Sequence, residues 1–238
     1  MQRSLARRRR ERAERRGDDT YSRPAAHDLE ARLQRYLPER GFFVEAGAYD
    51  GYEQSNTYYF ERFCGWTGVL VEPIPQLYRI ARRQRPRARV FNCALVAPEQ
   101  AGRPVRMHYA GTMSIVEGAR GDRHRDATYL DSALLFRSDG YDVQVPGRTL
   151  SDVLDEAAAP EVDLLSLDLE GFEPQALAGL DLDRHAPRFI IIEVQDDERL
   201  RAVTARLEGR YRQAERMSAK DLLFARLDQA PALPDSGP

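Results

Sequence analysis

Two short runs of the chain, VDLLSLDL at 162–169 and RFIIIEV at 188–194, are almost wholly apolar. They lack the alternation of a strand with one solvated face, so they predict strands that are covered on both faces. Strands of this kind occur in parallel sheets with helices packed on either side. The two runs therefore favour an α/β fold around a central parallel sheet.

Further strand and helix patterns alternate along the chain, and Ser218 to Asp221 predicts a hairpin turn between the last two strands. The other predicted strands cover residues 42–46, 68–72, 88–95, 211–217 and 221–227, and the predicted helices cover 27–37 and a segment from Pro75 to just before Pro86. The expected product is an α/β, doubly wound, mostly parallel sheet closed by a C-terminal antiparallel hairpin.

The 238 residues, of which 42% are hydrophobic, supply one good core, so we expect a single domain over residues 23–238. Residues 98–147 break the alternation and predict a loop-rich insertion. No apolar run approaches the roughly 18 residues of a membrane span, and we expect a cytoplasmic protein. Cys64 and Cys93 lack zinc-ligand spacing, which argues against a zinc site or a disulfide scaffold.

Charge is concentrated at the N-terminus. Residues 1–16 hold eight Arg and two Glu, a net charge of +6, and because the whole chain is −2, residues 17–238 carry −8. A run like this is typical of a solvated tail, so residues 1–22 are predicted to be a flexible tail outside the fold. Nucleic-acid binding is the alternative, but it requires basic residues that continue along one face, and the acidic body argues against it.

In an open parallel sheet, ligands bind at the carboxyl ends of the strands, and here those ends carry acids. The first strand leads into Glu45, Gly47, Asp50 and Gly51, the second ends at Glu72, the fourth at Asp168 and Glu170, and the fifth at Glu193. A dinucleotide site needs G-x-G-x-x-G, but position 49 is Tyr. A pyrophosphate beside Glu45 and Asp50 would also meet like charge.

S-adenosylmethionine suits this turn better, because it carries no phosphate and has a cationic methionine end. Glu45 and Asp50 are predicted to meet its ammonium group or to orient the loop. Gly47 and Gly51 are predicted to allow close approach of the backbone.

The rest of the cofactor has candidate partners further along the chain. Ser55 and Asn56 are predicted to hydrogen-bond the cofactor carboxylate near a helix start. Glu72 can accept both hydrogens of a ribose diol, and Asn92, at the end of the third strand, is predicted to contact adenine.

The chain also resembles a known family through three segments, VEAGAYDGYEQSNTYYFERFCGWTGVLVEPIPQLY, SLDLEGFEPQALAGL and IIIEV. Together they are similar to the FkbM family of S-adenosylmethionine-dependent methyltransferases. The resemblance implies a class I methyltransferase fold and O-methylation of sugars, glycolipids or natural products. Phe172 stands where that family frequently has His, so the resemblance supports no His-based catalysis there.

Methyl transfer to a hydroxyl needs a base that faces the sulfonium. Asp168 is the first candidate, with Glu170 and Glu193 beside it; capping of the next helix is the alternative for Glu170. Paired carboxylates can also hold Mg²⁺, which we regard as possible but not expected.

Within the insertion, Thr112 and Ser114 are candidate acceptor contacts. A nucleotide-dependent oxidoreductase and a nucleic-acid-binding protein are the alternative functions, and we favour a small-molecule or glycosidic hydroxyl as acceptor.

Overall fold

The central sheet of the protein has seven strands, seen in a computed structural model that describes residues 2–134 and 140–229. In chain order the strands of this sheet are β1 (Phe42–Ala46), β2 (Thr67–Val71), β3 (Ala88–Phe91), β8 (Leu164–Leu167), β9 (Phe189–Glu193), β10 (Tyr211–Arg216) and β11 (Asp221–Arg226). The strand order is β10-β11-β9-β8-β1-β2-β3. β3, β2, β1, β8 and β9 pair in parallel, whereas β11 runs antiparallel to both β9 and β10. The predicted sheet and its C-terminal hairpin are confirmed.

A second sheet forms where we expected loops. It contains β4 (Ala94–Leu95), β5 (Pro104–Tyr109), β6 (Ile115–Val116) and β7 (Tyr141–Arg148) in the order β4-β7-β5-β6. The loop-rich description of residues 98–147 was therefore wrong for these strands. The composition, rich in Gly, Arg and Asp, hid them because only one face of β5 and β7 packs into an apolar cluster, through Val105, Met107, Val143 and Val145, and neither strand carries a continuous apolar run.

Helices cover the sheet. They are α1 (Gln2–Glu14), α2 (Leu29–Leu33), α3 (Tyr58–Phe63), α4 (Pro75–Gln84), α5 (Arg123–Leu134), α6 (Leu150–Ala157), α7 (Glu173–Ala178) and α8 (Asp197–Leu207). α2 is shorter than the predicted helix at 27–37, although Leu29 and Leu33 are buried as its apolar stripe requires. Within the described ranges, no helix combines the length and the apolar character that a membrane span requires.

Alternate residues of the central strands enter two different hydrophobic clusters. Val44, Leu165 and Ile190 lie in one cluster, whereas their chain neighbours Leu164 and Ile191 lie in the other. Successive side chains of a strand point to opposite faces, so both faces of the sheet are covered. This is the arrangement that the two apolar runs predicted.

The register of the sheet sets the positions of the acids. Ala46 pairs with both Val71 and Leu167, and Leu167 pairs with Ile192. The residues that follow these strand positions therefore share one level at the carboxyl edge. Glu72 and Glu193 stand three strands apart at that edge, about 14 Å at the usual spacing of 4.7–4.9 Å.

The N-terminal segment packs on the domain, which differs from the tail we expected. Arg10 of α1 is buried, with its guanidinium 3.5 Å from the ring centre of Tyr52. Glu14 accepts hydrogen bonds from Tyr58 and Ser22 and pairs with Arg62 at 2.9 Å. Charge counting missed this contact because Arg10 is held by the faces of Tyr52 and Tyr58 in addition to its ion pair with Glu14 of the same helix.

We predict that Gly68→Ala destabilises the protein. A Cβ at this position of β2 would lie 2.4 Å from both the Phe43 ring and the Phe43 carbonyl oxygen, so two paired strands would have to separate. Overpacking of this kind costs about 1–3 kcal/mol of unfolding free energy. Urea unfolding measures the loss, with Thr67→Ala, an exposed position of the same strand, as the control. Equal midpoints for the two variants would contradict the close approach of the strands.

Candidate active site

A cleft opens at the carboxyl edge of the central sheet, where the chain leaves β1 in one direction and β8 in the other. Its empty volume is about 920 Å³, including its open mouth. Strand order reverses at this point, as in other doubly wound sheets that bind ligands. Its lining combines the acidic strand ends with apolar side chains from the second sheet, among them Met107 and Val116, and with Ile74, Leu77 and Phe172.

The turn from Gly47 to Gly51, here called the glycine turn, rests on a buried network of charged and polar side chains. Glu45 accepts hydrogen bonds from Ser55, Thr57 and the backbone N–H of Asn56, all at 2.7–2.8 Å. The Arg85 guanidinium lies 3.3 Å from the same carboxylate. Glu45 therefore orients the loop, which is one of the two roles expected for it.

Arg85 completes this network from the end of α4. Its Nε lies 2.7 Å from Glu61, and its other nitrogens donate to Ser55, Thr57 and the carbonyl of Gly51. Arg85 is 1% exposed, so these partners, rather than water, stabilise its positive charge. The network fixes the turn to both α3 and α4.

Glu72 faces the cleft at the end of β2. Its two carboxylate oxygens accept the backbone N–H groups of Tyr49 and Ile74, each at 2.8 Å. Burial raises the pKa of Glu72 to about 8, against the two hydrogen bonds that lower it. Each oxygen keeps a second lone pair, so the carboxylate remains able to accept from a diol.

Three other predicted cofactor contacts also line the cleft, Glu45, Gly47 and Asn56. Gly47 has φ +84°, and a Cβ there would lie 1.9 Å from the carbonyl oxygen of Asp168. The glycine is thus required for close approach of the turn to β8. Asn56 donates from its amide to Ser166 at 3.1 Å.

Four predicted contacts lie outside the cleft lining, and each has a structural role. Asp50 accepts from the N–H groups two and three residues on, and Ser55 accepts from the N–H of Tyr58 at the start of α3. A Cβ on Gly51 would lie 2.9 Å from the Arg85 side chain, so this glycine serves packing. Asn92 donates to the carbonyls of the 72–73 strand end, and its neighbour Cys93 lines the cleft instead.

The three candidate catalytic acids are brought together. Asp168, Glu170 and Glu193 each offer an oxygen, and the three atoms lie within 4.8 Å of one another. Burial, followed by the charges of Glu193 and Glu170, raises the pKa of Asp168 well above its usual range. Asp168 is nevertheless exposed, because it forms part of the cleft wall.

Glu170 differs from Asp168 in its partners. It accepts hydrogen bonds from the Tyr129 hydroxyl at 2.5 Å and the Gln195 amide at 2.7 Å, and it pairs with Arg120 at 3.3 Å. Burial raises its pKa, while the Tyr129 hydrogen bond opposes the rise. Its φ of +54° is a conformation that non-glycine residues rarely adopt.

Glu170 does not cap α7 within the described part of the chain, and Glu173 at the start of that helix binds the preceding loop instead. The Glu173 carboxylate accepts the backbone N–H groups of Leu169 and Gly171 at 2.8 and 3.1 Å. Burial raises its pKa to about 7. Glu173 therefore fixes the conformation of the loop that carries Asp168 and Glu170.

Sequence comparison assigns the chain to a family. Residues 45–213 match the family model of the Methyltransferase FkbM domain, which is more than half of the chain. The protein belongs to this family. FkbM membership makes it a methyltransferase that uses S-adenosylmethionine, and the observed sheet is the class I methyltransferase fold expected for such a protein. No curated protein shows significant similarity to the chain.

Several solved methyltransferase structures match the chain at low similarity. An FkbM methyltransferase from Methylobacillus flagellatus is 14% identical with a TM-score of 0.47, and the match covers 91% of this chain and 59% of that one. A TehB-like S-adenosylmethionine-dependent methyltransferase from Corynebacterium glutamicum is 14% identical, with 94% and 97% coverage and a TM-score of 0.42. An O-methyltransferase from Bacillus cereus, in complex with S-adenosylhomocysteine, is 14% identical, with 84% and 79% coverage and a TM-score of 0.43.

Sequence reasoning missed the polar residues that surround the acids of this FkbM protein. Arg120 and Tyr129 come from the insertion, and Gln195 follows β9. Arg120 stacks on Tyr129 at 3.7 Å and donates to Gln195. No local pattern marked these residues, because they meet Glu170 only through the tertiary fold. Thr112 and Ser114 do line the cleft, as the insertion was expected to do.

We predict that Arg85→Met destabilises this FkbM domain by about 3–5 kcal/mol, because it leaves Glu45 and Glu61 buried without their cation. Chemical denaturation measures the change. Arg87→Met is the matched control: Arg87 is exposed and nearby, its side chain makes no ion pair among the described residues, and we expect a change below about 0.5 kcal/mol. Equal unfolding midpoints for the two variants would show that the network contributes little.

Proposed function

We propose that the protein transfers a methyl group from S-adenosylmethionine to a hydroxyl of a sugar, glycolipid or natural product in the cytoplasm. The observation that carries this proposal is the Asp168 carboxylate. It faces the cleft, its pKa is raised by burial and by neighbouring acids, and no backbone or basic side-chain donor among the described residues holds it. A hydroxyl acceptor needs a base with these properties.

The residues of the cleft fit the cofactor in chemical character. On the β1–β2 side, Glu72 offers carboxylate lone pairs to a ribose diol, and Ile74 and Leu77 supply apolar walls for a flat base. Gly47 and Asn56 line the part nearest β8, where backbone and amide groups suit an amino acid moiety. When bound, the cofactor supplies an electrophilic methyl group.

The chain's own contribution is positioning and proton removal. Asp168 accepts the hydroxyl proton, and the raised pKa makes its ionised form a stronger base than an ordinary aspartate. Glu193 lies beside it, with Lys220 3.4 Å from one of its oxygens. Glu170 is occupied by three donors, so we assign it a positioning role that connects the insertion to the catalytic loop.

Magnesium is not required in this proposal. The three carboxylate oxygens lie within 4.8 Å of one another, but proton removal by Asp168 needs no cation between them. Arg120 also supplies positive charge to Glu170. Activity measured with chelator and with added Mg²⁺ tests this directly.

We predict that Glu72 makes cofactor binding depend on pH. Diol hydroxyls stabilise the ionised carboxylate, but its pKa of about 8 keeps it protonated in the free protein at lower pH. Affinity should therefore fall by up to about tenfold for each pH unit below about 8. Calorimetric titration with S-adenosylmethionine, S-adenosylhomocysteine and NAD, over a pH series, measures this.

The matched variants for that titration are Glu72→Gln and Glu99→Gln, the second an exposed acid outside the cleft lining. Glu72→Gln should weaken binding and flatten the pH profile, while Glu99→Gln should do neither. Binding of NAD in place of the two sulfur compounds would favour the oxidoreductase alternative. A pH-independent affinity in the parent protein would show that Glu72 does not bind the ribose.

We predict that Asp168→Asn lowers kcat by about 10²–10⁴-fold, the usual contribution of a general base, and leaves S-adenosylhomocysteine affinity nearly unchanged. Transfer of labelled methyl groups to a panel of glycosides and hydroxylated natural products provides the assay. Asp183→Asn, an exposed surface change, is the control. Retained turnover in the Asp168 variant, or methylation of amines in preference to hydroxyls, would contradict the proposal.

A further inference from the structure

The docked helix α1 presents a basic face to solvent. Arg8, Arg12, Arg15 and Arg16 are exposed and make no ion pair among the described residues. At 100° per residue, Arg8 and Arg12 lie about 40° apart around the helix axis, and Arg15 and Arg16 follow in the turn after the helix. The opposite side of α1 is occupied by Arg10, Ala13 and Glu14, so packing on the domain fixes which face is free.

Arginines of the domain continue this face. Arg7 of α1 and Arg15, just after it, line a groove together with Arg62 of α3 and Arg83 of α4. The acids of that groove, Glu11 and Glu14, already pair with Arg7 and Arg62 at 2.7 and 2.9 Å.

A second groove begins where the first ends, because Arg62 lines both. Arg40 and Arg87 also line it, and both are exposed and make no ion pair among the described residues. Basic residues therefore continue from α1 onto the domain along one face. This is the condition that nucleic-acid binding requires and that the −8 charge of residues 17–238 argued against.

We propose that this basic surface, formed by α1 and by Arg40, Arg62, Arg83 and Arg87, binds the phosphate backbone of a nucleic acid. Guanidinium groups match phosphate oxygens in geometry and retain their charge. The tyrosines nearest the helix are already covered, Tyr21 by Arg9 and Tyr52 by Arg10, so they are not platforms for stacked bases. The surface contacts phosphates without reading sequence.

An anionic membrane fits the same charge less well. Helices that lie in a membrane interface carry a broad apolar face opposite the basic one. In α1 the side opposite the basic face is packed on the domain. Among the described residues of this helix, Leu5 is the large apolar residue that is exposed. The inference is independent of the methyl acceptor, because the basic surface and the catalytic cleft share no lining residue.

Fluorescence anisotropy of the full chain with a labelled single-stranded RNA and a labelled DNA duplex, over about 50–200 mM salt, tests the proposal. The variant Arg8→Gln/Arg12→Gln/Arg15→Gln/Arg16→Gln should lower affinity tenfold or more. It should also make the slope of log affinity against log salt shallower by about 3–4. The control removes the same charge elsewhere: Arg103→Gln/Arg123→Gln/Arg125→Gln/Arg201→Gln should bind like the parent.

A second variant, Arg40→Gln/Arg83→Gln/Arg87→Gln, separates a continuous surface from a tail that acts alone. It should also weaken binding by severalfold, and a parental affinity would overturn the role of the domain. The proposal fails if the parent binds neither probe at the lowest salt, or if the α1 variant and its control bind equally. It fails equally if vesicles containing phosphatidylglycerol bind in place of nucleic acid, or if light scattering shows self-association instead.

Discussion

The position of the glycine turn depends on one buried cation. Arg85 closes α4 beneath the turn and holds Glu45 of β1, Glu61 of α3 and the loop carbonyl of Gly51 at the same time. Two carboxylates without this guanidinium would be buried with their charge uncompensated. The cleft is therefore built on a layer of structural charge, and one acid of that layer, Glu45, also lines the cleft.

Much of the fold could be predicted from the sequence, because the central strands are buried on both faces and the chain records this as unbroken apolar runs. The carboxyl edge followed from the same strands. Glu72, Asp168 and Glu193 all lie at that edge, and Glu72 and Asp168 line the cleft. The second sheet could not be predicted in the same way. β5 pairs with β7, which lies beyond α5 in the chain. The β5 side chains range from buried to exposed and form no continuous apolar run, so the composition of this segment did not predict a strand.

The side-chain roles within the turn also required the structure. Asp50, Gly51 and Ser55 occur in a motif typical of a cofactor loop, yet they support its conformation from outside the cleft. A turn has an inner and an outer side, and residue types alone do not say which side a polar group takes. Backbone N–H groups need acceptors whether or not a ligand is present, and short polar side chains supply them.

The three acids at the β8–β9 edge are chemically unequal because of what surrounds each one. Glu170 is held by a tyrosine, an amide and a guanidinium, while Arg199 joins the carbonyl of Gly171 to that of Ala119 across the same junction. Those contacts tie the insertion to the loop at residues 168–173 and occupy the Glu170 carboxylate. Asp168 has no such donors among the described residues and faces its carboxylate neighbours, so its ionised form is less stabilised than that of Glu170. Asp168 and Glu170 thus differ in character although they share one loop. The difference comes from the distribution of hydrogen-bond donors around each carboxylate rather than from residue type.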